Sequence, residues 1–412
     1  MYILKIGKMC MDSNWKIFFA GDIFISSELN SKFVSNELEK VISEHDLVSC
    51  NFEAPIFTES AQPIKKVFSP SVCQYKDAAK YVQEAGFNII NLATNHMYDF
   101  GQIALESTLD TFKNQLTVGA GLDFETAYSL KIKELNGIKI GFLSFCESEF
   151  GALIDEQLDR GGYAWINHYS VNRRIIEAKS QVNVLFVQVH AGPERVELPI
   201  PEWRHRYREI INLGADAVIA HHPHVPQGWE VYREKPIFYS LGNFFFTTLN
   251  EYPLWNNGYA VSLSFNGLQL ENFEVIPIER CQLEVRISKD RKYEQYLEKL
   301  CIMLESEIYQ DLVNAQVINL WKNHYNYLHM QTVNTFPKKG KLAKFWRLIG
   351  RVLTKLNIID NLSILHNIRT ESHRWSMQRA LSLLEENESY KESKNKQEHL
   401  NNLSSKTSRN IE

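Results

Sequence analysis

Apolar side chains along the first 270 residues alternate between short continuous runs and stretches with helical spacing. Short continuous runs are typical of buried strands, and apolar residues three and four positions apart are typical of amphipathic helices. The pattern predicts strands over 15–21, 46–53, 87–95, 138–146, 182–190, 215–222 and 236–246. It predicts helices over 34–45, 77–86, 105–115, about 170–180 and 203–213. Strands that alternate with helices indicate an α/β layered fold.

The remaining third of the chain has a different pattern. Residues 259–278 alternate like two antiparallel strands, with a turn at Asn266 and Gly267. Helical spacing returns over 289–331, 338–356 and 369–385, and the second of these stretches is basic and amphipathic. From about Glu386 the chain is polar and is predicted to be disordered. We therefore divide the chain into an N-terminal extension (1–14), an α/β domain (15–285), a helical C-terminal region (286–385) and a disordered tail (386–412).

Composition narrows the class of protein. Hydrophobic residues form 44% and charged residues 23% of the 412 residues, which is ordinary for a globular chain. A net charge of −4 argues against duplex nucleic acid as a partner, because such binders usually carry a basic excess. The six cysteines include no C-x-x-C pair and indicate thiols in a reducing compartment. With no signal peptide and no run of about 20 apolar residues, we expect a protein that is cytoplasmic or peripheral to a membrane.

Polar residues follow several predicted strands at the points where those strands end. They are Asp22, Asn51, Glu53, Asn95, His96, His190, His222 and His224. Because strand carboxyl ends of an α/β sheet converge on one edge, where ligands bind, we expect these side chains to lie close together. Imidazole nitrogens with carboxylate and amide oxygens suit zinc, manganese or iron. The sequence therefore predicts a site for one or two divalent metal ions.

The residue types also predict individual roles. His222 and His224 are two positions apart, and on an extended segment both rings would face the same side. Glu53 is the candidate to bridge two metals, a pair of which makes water a better nucleophile at neutral pH. His96 is the candidate acid that protonates the leaving group, and Asp99, three residues on, would orient its ring.

Each of these residues alone has a more ordinary interpretation. An aspartate after a glycine is usually a turn residue, and Asn95 alone would most often cap a backbone. A single histidine after an apolar run is more often a hydrogen-bonded polar side chain than a ligand. His221 is expected to point away from the face that its neighbours share. The prediction of a site therefore rests on the combination.

The chain resembles the CapA (PGA_cap) family of capsule and poly-γ-glutamate synthesis proteins, which is similar to calcineurin-like metallophosphoesterases. The resemblance covers about residues 15–280 and is carried by AGDIFIS (20–26), CNFEAPI (50–56), NLATNHMYDFG (91–101), TVGAG (117–121), VHAGPE (189–194) and GADAVIAHHPHVPQGWEVYREKPIFYSLGNFFF (214–246). It implies a metallophosphoesterase-like four-layer sandwich of two mixed sheets flanked by helices, here with a helical C-terminal extension.

The resemblance also implies a role for each matching position. Asp22 and His224 would hold the first metal, Asn95, His190 and His222 the second, and Glu53 would bridge them. His96, Asp99 and Glu194 would be catalytic, and Asn51 and Asn243 would line the substrate site. The sequence departs from the metallophosphoesterase motif D-x-H, because Phe24 stands where a histidine ligand of the first metal is expected.

We expect a metal-dependent hydrolase or transferase of the CapA type that acts in surface-polymer synthesis on a γ-glutamyl amide or on a phosphoester. The alternative is a non-catalytic or weakly catalytic component of a polymer-assembly complex, docked on an anionic membrane or a partner through 338–356. That helix would otherwise pack its apolar face on the core. A third hypothesis is ligand binding through one metal without turnover.

Overall fold

The computed structural model describes residues 14–66, 70–248, 250, 252–326 and 361–385. The predicted N-terminal extension, except for its last residue, the basic helix over 338–356 and the tail from Glu386 lie outside these ranges. Within them, no helix has the length and apolar character that crossing a bilayer requires. The five cysteines in the described part of the chain are free thiols, as the sequence predicts.

Seventeen strands and ten labelled helices form the described part of the chain. The strands are β1 (Asn14–Phe24), β2 (Leu47–Phe52), β3 (Ile89–Asn91), β4 (Leu116–Val118), β5 (Ala120–Gly121), β6 (Lys131–Leu135), β7 (Ile138–Cys146), β8 (Ala152–Leu153), β9 (Gly162–Ala164), β10 (Val184–His190), β11 (Ala217–His221), β12 (Trp229–Tyr232), β13 (Lys235–Phe238), β14 (Asn243–Phe246), β15 (Asn257–Asn266), β16 (Gln269–Cys281) and β17 (Glu284–Ile287). The helices are α1 (Asn36–Ser43), α2 (Ala78–Glu84), α3 (Gly101–Thr111), α4 (Phe124–Ala127), α5 (Val171–Gln181), α6 (Pro201–Asn212), α7 (Arg291–Glu305), α8 (Tyr309–Leu320), α9 (Asn361–Arg369) and α10 (Glu371–Glu385), and a π-helical turn (Trp321–Tyr325) follows α8.

Two mixed sheets form the centre of the fold. The first has the order β17-β16-β15-β1-β2-β3-β4, with β14 also paired to β1, and the second has the order β12-β13-β11-β10-β7-β6. Apolar side chains from both sheets, among them Phe19, Phe142 and Phe186, form a buried core between the sheets. Two further buried cores join the outer face of each sheet to helices. This arrangement of helix, sheet, sheet and helix confirms the predicted α/β four-layer sandwich.

The long apolar run over 236–246 does not form the single strand that the sequence predicts. It divides into β13, which belongs to the second sheet, and β14, which pairs with β1 in the first. The chain changes sheet at Gly242, whose φ of 70° lies in the left-handed region that glycine adopts at little cost. A continuous apolar run indicates burial, and burial between two sheets does not specify which sheet each half joins.

The helices after the second sheet contribute to the same cores. Leu297 and Leu300 of α7 lie in the core between the sheets. Val313 of α8 and Ala380 of α10 lie in the core on the outer face of the second sheet. The described helices α7, α8 and α10 of the C-terminal region are thus packed on the α/β layers. Helix α9 lies within the predicted helical region but almost wholly outside the individual stretches with helical spacing.

Gly21 allows the closest approach between β1 and the turn that precedes β14. A Cβ atom at this position would lie 2.0 Å from the carbonyl oxygen of Gly242. That oxygen accepts a hydrogen bond from the backbone N–H of Asp22 at 3.1 Å, so the close approach also holds the backbone of Asp22 in place. Gly21→Ala is therefore expected to lower the free energy of unfolding by about 3 kcal/mol or more through overpacking.

Denaturant unfolding measures this effect, with Gly101→Ala as the control. Gly101 has a φ of 67°, but an added Cβ would find its nearest atom at 3.8 Å. The control therefore tests backbone strain without a clash and should lose only about 1–2 kcal/mol. An equal or smaller loss for Gly21→Ala would show that the contact with Gly242 can relax.

Candidate metal centre

Carboxyl ends of parallel strands from both sheets meet at one buried site. Asp22, Glu53 and His190 each offer a ligand atom there, and these three atoms lie within 4.8 Å of one another. Asp22 lies within β1. The pairing of β1 with β2 and its pairing with β14 each have a register irregularity next to this residue. Glu53 directly follows β2, and His190 is the last residue of β10. The predicted convergence of strand ends therefore brings these three residues together.

Two more predicted ligands, Asn95 after β3 and His222 after β11, extend this cluster. His190 Nε2 lies 3.1 Å from Asn95 Oδ1 and 3.5 Å from Glu53 Oε1. His222 Nδ1 lies 3.0 Å from the same nitrogen of His190. Potential ligand atoms of Glu53, Asn95 and His222 thus all lie within 3.5 Å of His190 Nε2.

His224 lies on the other side of Glu53, beside Asp22. Its Nδ1 is 3.3 Å from Asp22 Oδ2 and 3.0 Å from Asn243 Oδ1, and its Nε2 is 3.9 Å from Glu53 Oε1. Asn243 is the register partner of Asp22 in the β1–β14 pair, and its side-chain N–H₂ donates to the carbonyl of Trp255 at 2.9 Å. Asn243 therefore holds the ring of His224 in place.

The segment that carries the histidines is not the extended segment on which the sequence prediction for His222 and His224 depended. His222 has a φ of 95° and His224 a φ of 58°, so side chains do not alternate here as in a strand. Both rings still reach the site. His221 was expected to point away, but its Nδ1 lies 3.5 Å from Asp22 Oδ1 and neither ring nitrogen has a hydrogen-bond partner among the described residues.

Asn51 joins the two central carboxylates. Its Nδ2 donates to Asp22 Oδ1 at 2.9 Å and to Glu53 Oε2 at 3.0 Å, and its Oδ1 accepts from Asn91 Nδ2 at 2.7 Å. The side chain is fully buried, and its amide groups are engaged by these contacts. Asn51 is thus placed to position Asp22 and Glu53, and its predicted contact with substrate stays a prediction.

His96 and Asp99 form a hydrogen-bonded pair at the edge of the site. His96 Nδ1 lies 2.7 Å from Asp99 Oδ2, as the three-residue spacing predicts. Lys66 Nζ lies 2.5 Å from Asp99 Oδ1, and the backbone N–H of Val72 donates to Asp99 Oδ2 at 3.0 Å. Burial raises the pKa of the Asp99 carboxyl, but the charges and hydrogen bonds of His96 and Lys66 outweigh it and leave the pKa lowered. No sequence pattern indicates Lys66, which lies in an irregular loop.

Two glutamates that are not among the predicted site residues contact predicted ligands. Glu147 and Glu149 follow β7, whose carboxyl end lies beside that of β10. Glu147 Oε1 is 3.6 Å from His222 Nε2, and Glu149 Oε1 accepts from Asn95 Nδ2 at 3.2 Å. The rule that identified the other residues, a polar side chain directly after a buried strand, also applies to Glu147. Glu147 directly follows the strand predicted over 138–146.

The charges of the site shift several pKa values. Burial favours the neutral forms of Asp22 and His224, but their mutual hydrogen bond and the surrounding charges together outweigh it, lowering the pKa of Asp22 and raising that of His224 to about 9. Burial, with the charge of His190, lowers the pKa of His222 well below its ordinary value.

Burial raises the pKa of Glu147 to about 8, so a positive charge beside this carboxyl is needed to keep it ionised at neutral pH. Glu194 is exposed, and its charge contributes to the raised pKa of His224.

The donor set fits a divalent cation. Glu53 Oε1, which lies between His190 and His224, accepts no hydrogen bond within the described part of the chain, although it is buried. A buried, unpaired carboxylate oxygen is costly unless a cation or a donor compensates it. The neutral imidazole of His222, the amide oxygen of Asn95 and the two carboxylates are ligands that zinc, manganese and iron accept.

The fold and these side chains define an α/β sandwich with a buried histidine–carboxylate centre at the joined ends of its two sheets. The chain belongs to the family described as bacterial capsule synthesis protein PGA_cap, whose model matches residues 16–248. This finding confirms the resemblance that the sequence motifs indicated.

Two similar proteins carry related names. The capsule biosynthesis protein CapA of Bacillus anthracis is 29% identical over 287 residues, which cover 66% of this chain and 68% of the relative. The PGA biosynthesis protein CapA of Bacillus subtilis (strain 168) is 28% identical over 282 residues, or 63% of this chain and 70% of the relative. Among solved structures, a novel phosphatase from Mycoplasma pneumoniae matches 69% of this chain and 98% of its own, with 14% identity and a TM-score of 0.43.

Proposed function

We propose that this protein is a metal-dependent hydrolase or transferase of surface-polymer synthesis, and that Asp22, Glu53, Asn95, His190, His222 and His224 hold its metal ions. The observation that supports the proposal best is the cluster of Asp22, Glu53 and His190, whose ligand atoms lie within 4.8 Å of one another in a buried site. Glu53 Oε1, which is buried and accepts no hydrogen bond among the described residues, stands within 4 Å of both His190 and His224.

The contacts divide the proposed ligands into two groups that share Glu53. Asn95, His190 and His222 form one group, and Asp22 and His224 form the other. Phe24 leaves the second group without the histidine of the D-x-H motif. His221 Nδ1, which has no hydrogen-bond partner among the described residues, lies 3.5 Å from Asp22 Oδ1. When bound, one or two divalent ions would supply Lewis acidity and make water a better nucleophile at neutral pH.

We propose that His96 is the proton donor. Its Nδ1 faces the Asp99 carboxylate, so Nε2 is the nitrogen left to hold a proton toward substrate. The His96 side chain is 12% exposed, against 0–7% for His190, His222 and His224. Asp99 stabilises the protonated ring, as a carboxylate does in other acid–base pairs, and Lys66 keeps Asp99 ionised.

The substrate class follows from the family and from the names of the relatives. A γ-glutamyl amide and a phosphoester both develop negative charge on oxygen during attack, and a cationic centre stabilises either. The names of both relatives refer to capsule or PGA biosynthesis. We therefore propose that the γ-glutamyl bond of a surface polymer is the first substrate to test, with phosphoesters beside it.

Activity profiling after loading with Mn²⁺, Zn²⁺ or Fe²⁺ tests this function. Purified protein should bind one or two of these ions per chain and should cleave or transfer γ-glutamyl bonds only when loaded. Metal-free protein and Glu53→Gln are the controls. Tight metal binding without turnover of either substrate class would contradict the proposed enzyme and favour a protein that binds a ligand without turnover. Absence of metal binding after loading would refute the proposed site.

A further inference from the structure

Glu147 belongs to none of the groups that the proposed mechanism uses, yet its carboxylate is fully buried beside a proposed metal ligand. Its Oε1 lies 3.6 Å from His222 Nε2, while His222 Nδ1 lies 3.0 Å from His190 Nε2. The ring of His222 therefore directs one nitrogen into the centre and the other toward Glu147. A histidine that binds a metal usually donates its second ring N–H to a carboxylate, carbonyl or water, which fixes the orientation of the ring.

Ser372, the second residue of α10, holds this carboxylate. Its backbone N–H donates to Glu147 Oε2 at 2.8 Å, and its hydroxyl lies 2.8 Å from Glu147 Oε1. The indole N–H of Trp203, which can only donate, gives its hydrogen to the same hydroxyl at 2.8 Å. The hydroxyl hydrogen of Ser372 is thus left for Glu147. A third donor, the backbone N–H of Gly192, reaches Oε1 at 3.0 Å.

The start of α10 is anchored separately from this contact. The buried carboxylate of Glu371 accepts from the backbone N–H of Ser148 at 3.1 Å, from the indole N–H of Trp165 at 3.0 Å and from the amide of Asn167 at 2.9 Å. These contacts join α10 to the segments that follow β7 and β9. Because Glu371 fixes the helix, the hydroxyl of Ser372 can be removed without releasing α10.

We propose that Glu147 and Ser372 are positioning residues of the metal centre: Glu147 fixes the ring of His222, and Ser372 fixes Glu147. The proposal rests on the proposed metal-binding function. It makes a helix that begins 123 residues after the family match ends part of the site, since the match ends at residue 248 and α10 begins at Glu371. Loss of such an outer contact typically weakens metal binding about 10–100-fold.

The test measures the dissociation constant of Mn²⁺ by titration of the full-length, metal-free protein. Ser372→Ala should weaken binding about tenfold and Glu147→Gln about 10–100-fold. Ser372→Thr, which keeps a hydroxyl, should restore most of the affinity. Ser376→Ala is the matched control, because Ser376 is buried one turn further along α10 and its hydroxyl has no partner among the described residues. It should bind Mn²⁺ like the unmodified protein.

Thermal unfolding of each metal-free variant separates positioning from general destabilisation. Equal Mn²⁺ affinity in Ser372→Ala and Ser376→Ala would overturn the proposal, as would a loss of affinity in Ser372→Ala that Ser372→Thr does not restore. Glu53→Gln, measured in parallel, distinguishes failure of the positioning proposal from failure of the metal site itself. If Glu53→Gln loses Mn²⁺ while Ser372→Ala and Glu147→Gln keep it, the metal site stands and its proposed outer layer fails. If Glu53→Gln keeps Mn²⁺, the proposed metal site itself fails.

Discussion

Glu53→Gln should weaken Mn²⁺ binding by at least about 100-fold, which corresponds to about 2.8 kcal/mol of binding free energy. The substitution keeps the size of the side chain and removes one negative charge from the point that both groups of proposed ligands share. A unit charge about 4 Å from another in a medium of effective dielectric 20 contributes about 4 kcal/mol, so the loss exceeds the predicted change even for a single ion. Metal-dependent turnover should fall with metal occupancy.

The metal-free Glu53→Gln protein should remain folded. The side-chain oxygen of glutamine can still accept the hydrogen bond that Asn51 donates at 3.0 Å, and the substitution removes a buried charge whose Oε1 has no donor among the described residues. We expect its melting temperature within a few degrees of the parent. Glu134→Gln, an exposed change on β6, is the control for charge alone. A Glu53→Gln protein that binds Mn²⁺ as tightly as Glu134→Gln would contradict Glu53 as a ligand.

The sequence was sufficient to predict the cluster because its members obey a local rule. Each follows a buried apolar run, and parallel strands bring such positions to one edge. The predicted strands over 46–53 and 182–190 match β2 and β10 to within two residues, and Glu53 and His190 lie where the ends of these two strands were expected. The rule required only the period of apolar residues and the type of the next polar residue.

Contacts over long distances in the sequence could not be predicted in this way. Ser372 meets Glu147 across 225 residues, and no local pattern specifies which strand end receives the first turn of α10. The helical pattern over 369–385 predicted that α10 exists, but not where it docks. The positive φ values of His222 and His224 could not be predicted from the sequence either, because non-glycine residues seldom adopt such values without support from the surrounding structure.

His96→Ala should lower turnover by about 10²–10⁴-fold, the range in which a positioned acid contributes, and should leave Mn²⁺ content nearly unchanged. The two effects separate because His96 contacts Asp99 and Lys66, whereas the contacts of His190, His222 and His224 are with Asp22, Glu53 and their partners. Turnover of the proposed substrate and metal content of the same preparation are the two measurements.

His205→Ala, an exposed substitution on α6, is the matched control and should change neither quantity. Asp99→Asn adds a second check, since it removes the charge that stabilises the protonated ring while His96 itself remains. Its turnover should fall less than that of His96→Ala. Because Asp99→Asn also leaves Lys66 buried without its ion pair, its thermal stability should drop. Equal losses of metal and turnover in His96→Ala would instead identify His96 as a metal ligand, and another residue would then be the proton donor.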